Sequence, residues 1–176
     1  MRIFEPHIHM ISRVTDDYEK MAAAGVCYVN EPQFWLGQPR TSVGSFIDYF
    51  AQITEYEVKR AADFGIKHVC CIGLNPKEAN DDRVNKDVMA ILPQWLKHPT
   101  SVAIGEIGLD SHTPKEEEFF RQQLELGKKL KMPVLMHTPH RDKLKGTKRM
   151  IDICKEVGND PGLLLIDHNN EETIPI

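Results

Sequence analysis

Four short apolar runs along this 176-residue chain each lead into a residue able to ligate a metal ion. His7 and His9 close FEPHIHM, Glu106 sits in VAIGEIGLD, His137 closes VLMH and His168 follows LLLID. The runs have the length and the Ile, Val and Leu content of buried β-strands. Packing gives no reason for a nitrogen or carboxylate ligand at the same end of each. A metal centre at the mouth of a parallel β-barrel gives one, because such barrels gather their sites from the C-terminal ends of many strands.

Amphipathic segments separate the runs. The pattern predicts strands over Ile3–His9, Val26–Asn30, Lys67–Leu74, Val102–Ile107, Val134–His137 and Leu163–Asp167. It predicts helices over Asp16–Ala24, Val43–Asp63, Asn85–Lys97, Lys115–Leu130 and Leu144–Glu156. Thr15 precedes an acidic first turn, and Thr113-Pro114 precedes three glutamates; both are helix-start signals. Strands alternating with helices imply right-handed crossovers and a parallel sheet. Neither G-x-G-x-x-G nor G-x-x-x-x-G-K is present, which argues against a nucleotide-binding open sheet. The expected class is α/β, of the (β/α)8 TIM-barrel type. About six of the eight βα units are read, so that residues 1–176 form a single incomplete barrel domain. The first and sixth strands are then open edges, which invite self-association.

Composition excludes little. Apolar residues make up 41% and charged residues 27%, and the net charge of -4 gives no general attraction to nucleic acid or membrane. No apolar run approaches the roughly 20 residues that span a bilayer. Cys27, Cys70, Cys71 and Cys154 show no C-x-x-C spacing and read as buried, reduced thiols. A cytoplasmic location and no membrane partner are expected.

Residues two apart on a strand point the same way, so His7 and His9 are expected to project together with Glu5 beneath them. Glu106 is expected on the face of Val102 and Ile104, and a buried carboxylate needs a partner or an ion. The competing reading is a salt bridge to Lys or Arg. His137 and His168 compete with the reading of core histidines satisfied by backbone groups. A set of nitrogen and oxygen donors suits Zn, Mn, Ni, Fe or Mg. His112 and His140 fall in loops on the same rim and are expected to contact substrate. Arg141 opens a basic run with Lys143, Lys145, Lys148 and Arg149, and is expected to bind phosphate; the rest of the run reads as a solvated helix face. Phe34 and Trp35 are candidate stacking aromatics. His68 and His98 belong to the opposite rim and read as structural.

The order H-x-H, GEIGLD, PVLMH and a strand-terminal His resembles the TatD family of metal-dependent hydrolases, in the amidohydrolase-like TIM-barrel group. GEIGLD is the most specific piece, and the resemblance runs over essentially the whole chain. It implies that His7 and His9 hold one ion, that Glu106 bridges, and that His137 with His168 hold a second. It implies one or two divalent ions, of Zn, Mn or Mg, that acidify a bound water. The implied substrate is a small-molecule or nucleotide phosphoester, with nuclease activity among the readings. Alternatives are hydrolysis of a cyclic amide or ester, and a truncated metal-binding fragment without catalysis. The chain departs from the family at Glu5, where Asp is usual, and in Thr138-Pro139-His140-Arg141. It also lacks the late Asp that follows an eighth strand. Catalytic roles therefore fall to Glu106 and Asp110, with His112 and Asp167 as further candidates for the base.

Overall fold

A computed structural model describes all of residues 1–176. Its six strands are β1 (Ile3–Glu5), β2 (Val26–Pro32), β3 (Lys67–Ile72), β4 (Ser101–Gly108), β5 (Val134–His137) and β6 (Leu164–Ile166). Each pairs in parallel with its neighbour in sequence, giving the order β1-β2-β3-β4-β5-β6. The sheet curls into a half-barrel of the expected type, and β1 and β6 are its edges.

Seven α-helices connect and cover the strands: α1 (Thr15–Ala24), α2 (Val43–Ala51), α3 (Glu57–Ala62), α4 (Pro76–Ala79), α5 (Asn85–Trp95), α6 (Pro114–Leu130) and α7 (Lys143–Val157). The helix expected over Val43–Asp63 is α2 and α3 joined by a π-helical turn, Gln52–Tyr56. There the Thr54 hydroxyl donates to the Phe50 carbonyl at 2.7 Å. Such a bond competes with the helical ladder. At α1 the cap is Val14 rather than Thr15, and its N–H donates to the Asp17 carboxylate at 3.1 Å. At α6 the Thr113 hydroxyl accepts from the Glu116 N–H at 3.1 Å, as the Thr-Pro signal implies.

The core lies between the sheet and the helices. Ile72, Ile104, Ile107 and Met136 meet Phe46, Phe50, Leu92, Phe119, Phe120 and Ile153 there. On the inner face Cys71, Ala103 and Leu135 form a small cluster of their own. Cys70 and Cys71 therefore face opposite ways, as read from their adjacency. All four cysteines are free, although Cys27 is only half-buried. No helix is long and apolar enough to cross a membrane.

Two strand expectations are corrected. β1 stops at Glu5 because Pro6 has no N–H to give the ladder, so His7 and His9 lie in the bend beyond the strand. Glu5 turns onto that bend and accepts the His7 N–H at 3.2 Å instead of sitting beneath the imidazoles. In β4 the pairing register shifts between Ile104 and Ile107. Both isoleucines point into the helix-side core, and Glu106 between them does not share the Ile104 face. The irregularity re-aims one side chain, as bulges beside sites commonly do.

Candidate metal centre

The side chains of His7, His9, Glu106, His137 and His168 converge at the C-terminal mouth of the sheet. Glu106 is the centre of the group and is only 3% exposed. Its Oε1 lies 2.8 Å from His7 Nε2, 3.8 Å from His9 Nε2 and 4.0 Å from His168 Nε2. Its Oε2 lies 3.2 Å from His137 Nδ1. No Lys or Arg pairs with this carboxylate, so the salt-bridge reading of Glu106 does not hold.

Local structure explains why these groups stay put. The Glu106 N–H donates to the Gln33 carbonyl at 3.0 Å, which pins the register irregularity to the loop after β2. Gln33 is itself fully buried, and its side chain donates to Glu78 at 3.0 Å. Glu78 also pairs with Arg40, whose guanidinium lies over the Tyr49 ring, 4.2 Å from its centroid. His9 is stacked on Phe34. His7 Nδ1 is hydrogen-bonded to Asp167. The Asp167 N–H in turn donates to the Met136 carbonyl at 2.9 Å.

The electrostatics follow from burial and contact. Burial alone would lower His7, but its hydrogen bonds with Asp167 and Glu106 outweigh it and hold the imidazole up at about 9. His9, which lacks such a partner, is pushed down by burial to about 4. Burial lowers His168 as well. For Glu106 burial raises the carboxyl, and the imidazoles of His137 and His7 more than reverse this, to about 2. Asp167 is held at about 2, chiefly by the hydrogen bond from His7.

His9 Nδ1 is buried with no hydrogen-bond partner, and Glu106 Oε1 and His137 Nδ1 are buried with none outside the cluster itself. Unpaired buried polar atoms are rare in folded proteins and call for a ligand. Donor atoms of His7, Glu106 and His168 all lie within 4.8 Å of one another, the spacing of groups that share an ion. Donor atoms of Asp110, His137 and His140 meet the same criterion. The residues fit a divalent ion, and the grouping differs from the expected one. His168 falls in with His7, whereas His137 stands between Glu106 and Asp110, its Nε2 4.0 Å from Asp110 Oδ1.

The remaining expected residues line the rim. Lys77, Asp110, Ser111, His112, His140, Arg141 and Asp142 enclose a cavity of about 480 Å³. His112 does not point freely into it, because its Nε2 meets the Arg141 carbonyl at 3.2 Å. Arg149 faces away and pairs with Glu117 and Glu156, so that end of the basic run is helix surface. Lys143 is also committed, donating to Thr138 and to the His168 carbonyl at 2.9 and 2.8 Å. Phe34 uses one face on His9, and Trp35 carries the Lys77 ammonium 4.5 Å above its ring. Neither presents the bare platform expected of a stacking aromatic. His68 is buried against Glu31 at 2.8 Å, and His98 bonds Thr100 at 2.8 Å, so both are structural.

Sequence reasoning passed over Gln33 and Lys77. Gln33 acts through its backbone carbonyl, which leaves no side-chain signal. Lys77 lies on the short α4, whose start is marked by Asn75 as cap and Pro76 in the first turn.

Comparison with known proteins follows the same lines. The family described as TatD related DNase matches residues 6–174. An uncharacterized metal-dependent hydrolase of Methanocaldococcus jannaschii is 30% identical over 179 residues, which cover 99% of this chain and 68% of the relative. Another, of Bacillus subtilis, is 29% identical over 162 residues, covering 89% of this chain and 56% of the relative. Among solved structures, the TatD-like protein of Archaeoglobus fulgidus has a TM-score of 0.86 and 30% identity, over 98% of this chain and 71% of that one.

Proposed function

The chain belongs to the TatD-related DNase family, and from that premise we propose that it is a divalent-metal-dependent hydrolase of phosphoester bonds. The observation that carries the metal reading is Glu106. A buried carboxylate faces imidazole nitrogens on either side, with no Lys or Arg to neutralise it.

His7, His9, Glu106, His137 and His168 hold the ion or ions, of Zn, Mn or Mg character by their donor atoms. A bound divalent ion supplies Lewis-acid polarisation of a phosphoryl oxygen and acidifies water. The chain's own groups do the rest. Asp110 Oδ1, beside His137 and at the edge of the 480 Å³ cavity, accepts the proton of the attacking water. Arg141, from the far side of that cavity, holds non-bridging phosphoryl oxygens, and His112 and His140 complete its wall. Lys77, 3.8 Å from Asp110, adds a second cation. Two cations with few apolar neighbours favour a phosphoester over a neutral cyclic amide. A nucleotide chain is the finer reading of that substrate.

The test combines metal analysis with substrate choice. The purified protein is expected to carry at least about one equivalent of divalent ion and to hydrolyse an aryl phosphodiester with Mn or Zn. His7→Ala is expected to weaken metal binding and to lower activity in step with it. Preference for a dihydro cyclic amide would support the amidohydrolase reading instead. Metal below about half an equivalent would undo the site.

A further inference from the structure

The two open edges of the half-barrel meet at its mouth. β1 and β6 share no ladder, yet His7, just past β1, is hydrogen-bonded through Nδ1 to Asp167 Oδ2, just past β6. The two residues stand 160 positions apart in sequence. Asp167 is a fixed rather than a mobile carboxylate. Its carbonyl accepts from the Thr138 hydroxyl at 2.8 Å, and its N–H is spent on Met136. Its second oxygen, Oδ1, accepts the N–H of the next residue, His168, at 2.7 Å. Oδ2 is therefore left facing His7.

The consequence lies on the other side of the imidazole. A neutral histidine that donates from Nδ1 keeps its lone pair on Nε2. Here Nε2 is the atom 2.8 Å from Glu106 and 3.3 Å from His9 Nε2, at the centre of the donor cluster. Carboxylates behind metal-binding imidazoles fix tautomer and ring orientation in this way.

We propose that Asp167 is a positioning residue for His7. It holds the Nδ1–H tautomer, presents Nε2 to the divalent ion, and ties the segment after β6 to the segment after β1, two strands that do not pair with each other. Asp167 also supplies the backbone that leads directly into His168. One short segment thus orients one donor of the cluster while carrying another. The role is distinct from that of a general base, because Oδ2 is already engaged. The inference rests on the metal reading of the site given above.

Calorimetric titration of Mn²⁺ into the metal-free full chain tests it as a double-mutant cycle. Asp167→Asn is expected to weaken Mn²⁺ binding about 10- to 100-fold. In a His7→Ala background the same change is expected to alter affinity less than about twofold, because its effect runs through His7. A full effect of Asp167→Asn in the His7→Ala background would make Asp167 a direct ligand and overturn the proposal. Unchanged Mn²⁺ affinity in Asp167→Asn would overturn it too. A wild-type chain that binds no Mn²⁺ or Zn²⁺ would instead defeat the metal reading, and this inference with it. Nitrogen-detected NMR of the zinc-loaded wild type gives a readout that needs no variant. His7 is expected to keep its proton on Nδ1 with Nε2 shifted by the metal, and zinc on Nδ1 would overturn the assignment.

Discussion

Phe34 lies flat on the imidazole of His9, with ring centroids 3.6 Å apart and planes 21° from parallel. His9 has no carboxylate behind it, since its Nδ1 is buried without a partner. Orientation of this imidazole falls to stacking, and the two histidines of H-x-H are held by different physics. An aromatic pair contributes about 0.5–1.5 kcal/mol beyond the area it buries. Phe34→Ala is expected to weaken divalent-ion binding roughly 2- to 12-fold, which titration of the metal-free protein would read. Equal affinity would show that His9 is held by something else.

The Gln33–Glu78–Arg40 cluster supports the centre from below, and its cost is electrostatic. Burial raises the Glu78 carboxyl, and the Arg40 guanidinium works against that rise. Both side chains are nearly inaccessible, 6% and 4% exposed. Removing one partner of a buried pair costs about 3–5 kcal/mol, because the other charge is left unpaired. Arg40→Met is expected to lower chemical-denaturation stability by that order. A double change, Arg40→Met with Glu78→Gln, is expected to recover part of the loss. A loss under about 1 kcal/mol in Arg40→Met would mean that Glu78 stays neutral.

On the outer surface Arg149 bridges α6 and α7, bonding Glu117 at 2.6 and 2.9 Å and Glu156 at 2.9 Å. The hydrogen bonds from Arg149 hold the Glu117 carboxyl below its usual range. Glu156 is lowered likewise, first by Arg121 and then by Arg149. A folded-state value below the unfolded one stabilises above the unfolded carboxyl value of about 4.3, and the gain is lost as pH falls through the lower folded value. These groups are solvent-screened, so the Glu117 contribution stays under about 1 kcal/mol. Arg149→Met is expected to melt below the wild type by at most about 2–4 °C at pH 7 and low salt. The gap should close as pH falls through the lowered folded-state range of these carboxyls, and in high salt. A gap independent of pH would assign the effect to lost packing.

Why some of this was legible and some was not follows from the range of the interactions. Helices such as α6 announce themselves through period and caps, both local. His137 was readable because β5 is regular, so Leu135 and His137 share the inner face. Glu106 was placed on the wrong face because alternation assumes an unbroken ladder, and the shift between Ile104 and Ile107 depends on β5. The grip of Asp167 on His7 joins opposite ends of the chain, and no periodic signal reaches that far. The basic run read as one feature splits in space, since a helix turns Arg149 about two turns away from Arg141.

Gly146 makes the last prediction, because propensity and packing disagree there. It lies in the first turns of α7, where alanine ordinarily stabilises by up to about 1 kcal/mol over glycine. The His112 ring and Pro139 lie directly against it. A Cβ would stand 3.2 Å from His112 Nδ1 and closer still to the ring carbon beside it. Gly146→Ala must therefore displace both the Pro139 ring, its nearest contact, and His112, and with His112 the bond to the Arg141 carbonyl. If Arg141 holds the phosphoryl group, KM for an aryl phosphodiester should rise by up to roughly tenfold, the worth of one lost hydrogen bond. The site's divalent-ion affinity and kcat should stay within about twofold if the shift of Pro139 is not passed along the chain to His137 and His140. Unchanged KM would show that His112 does not position Arg141 for substrate. A parallel loss of metal would show that the rim and the metal centre are one mechanical unit.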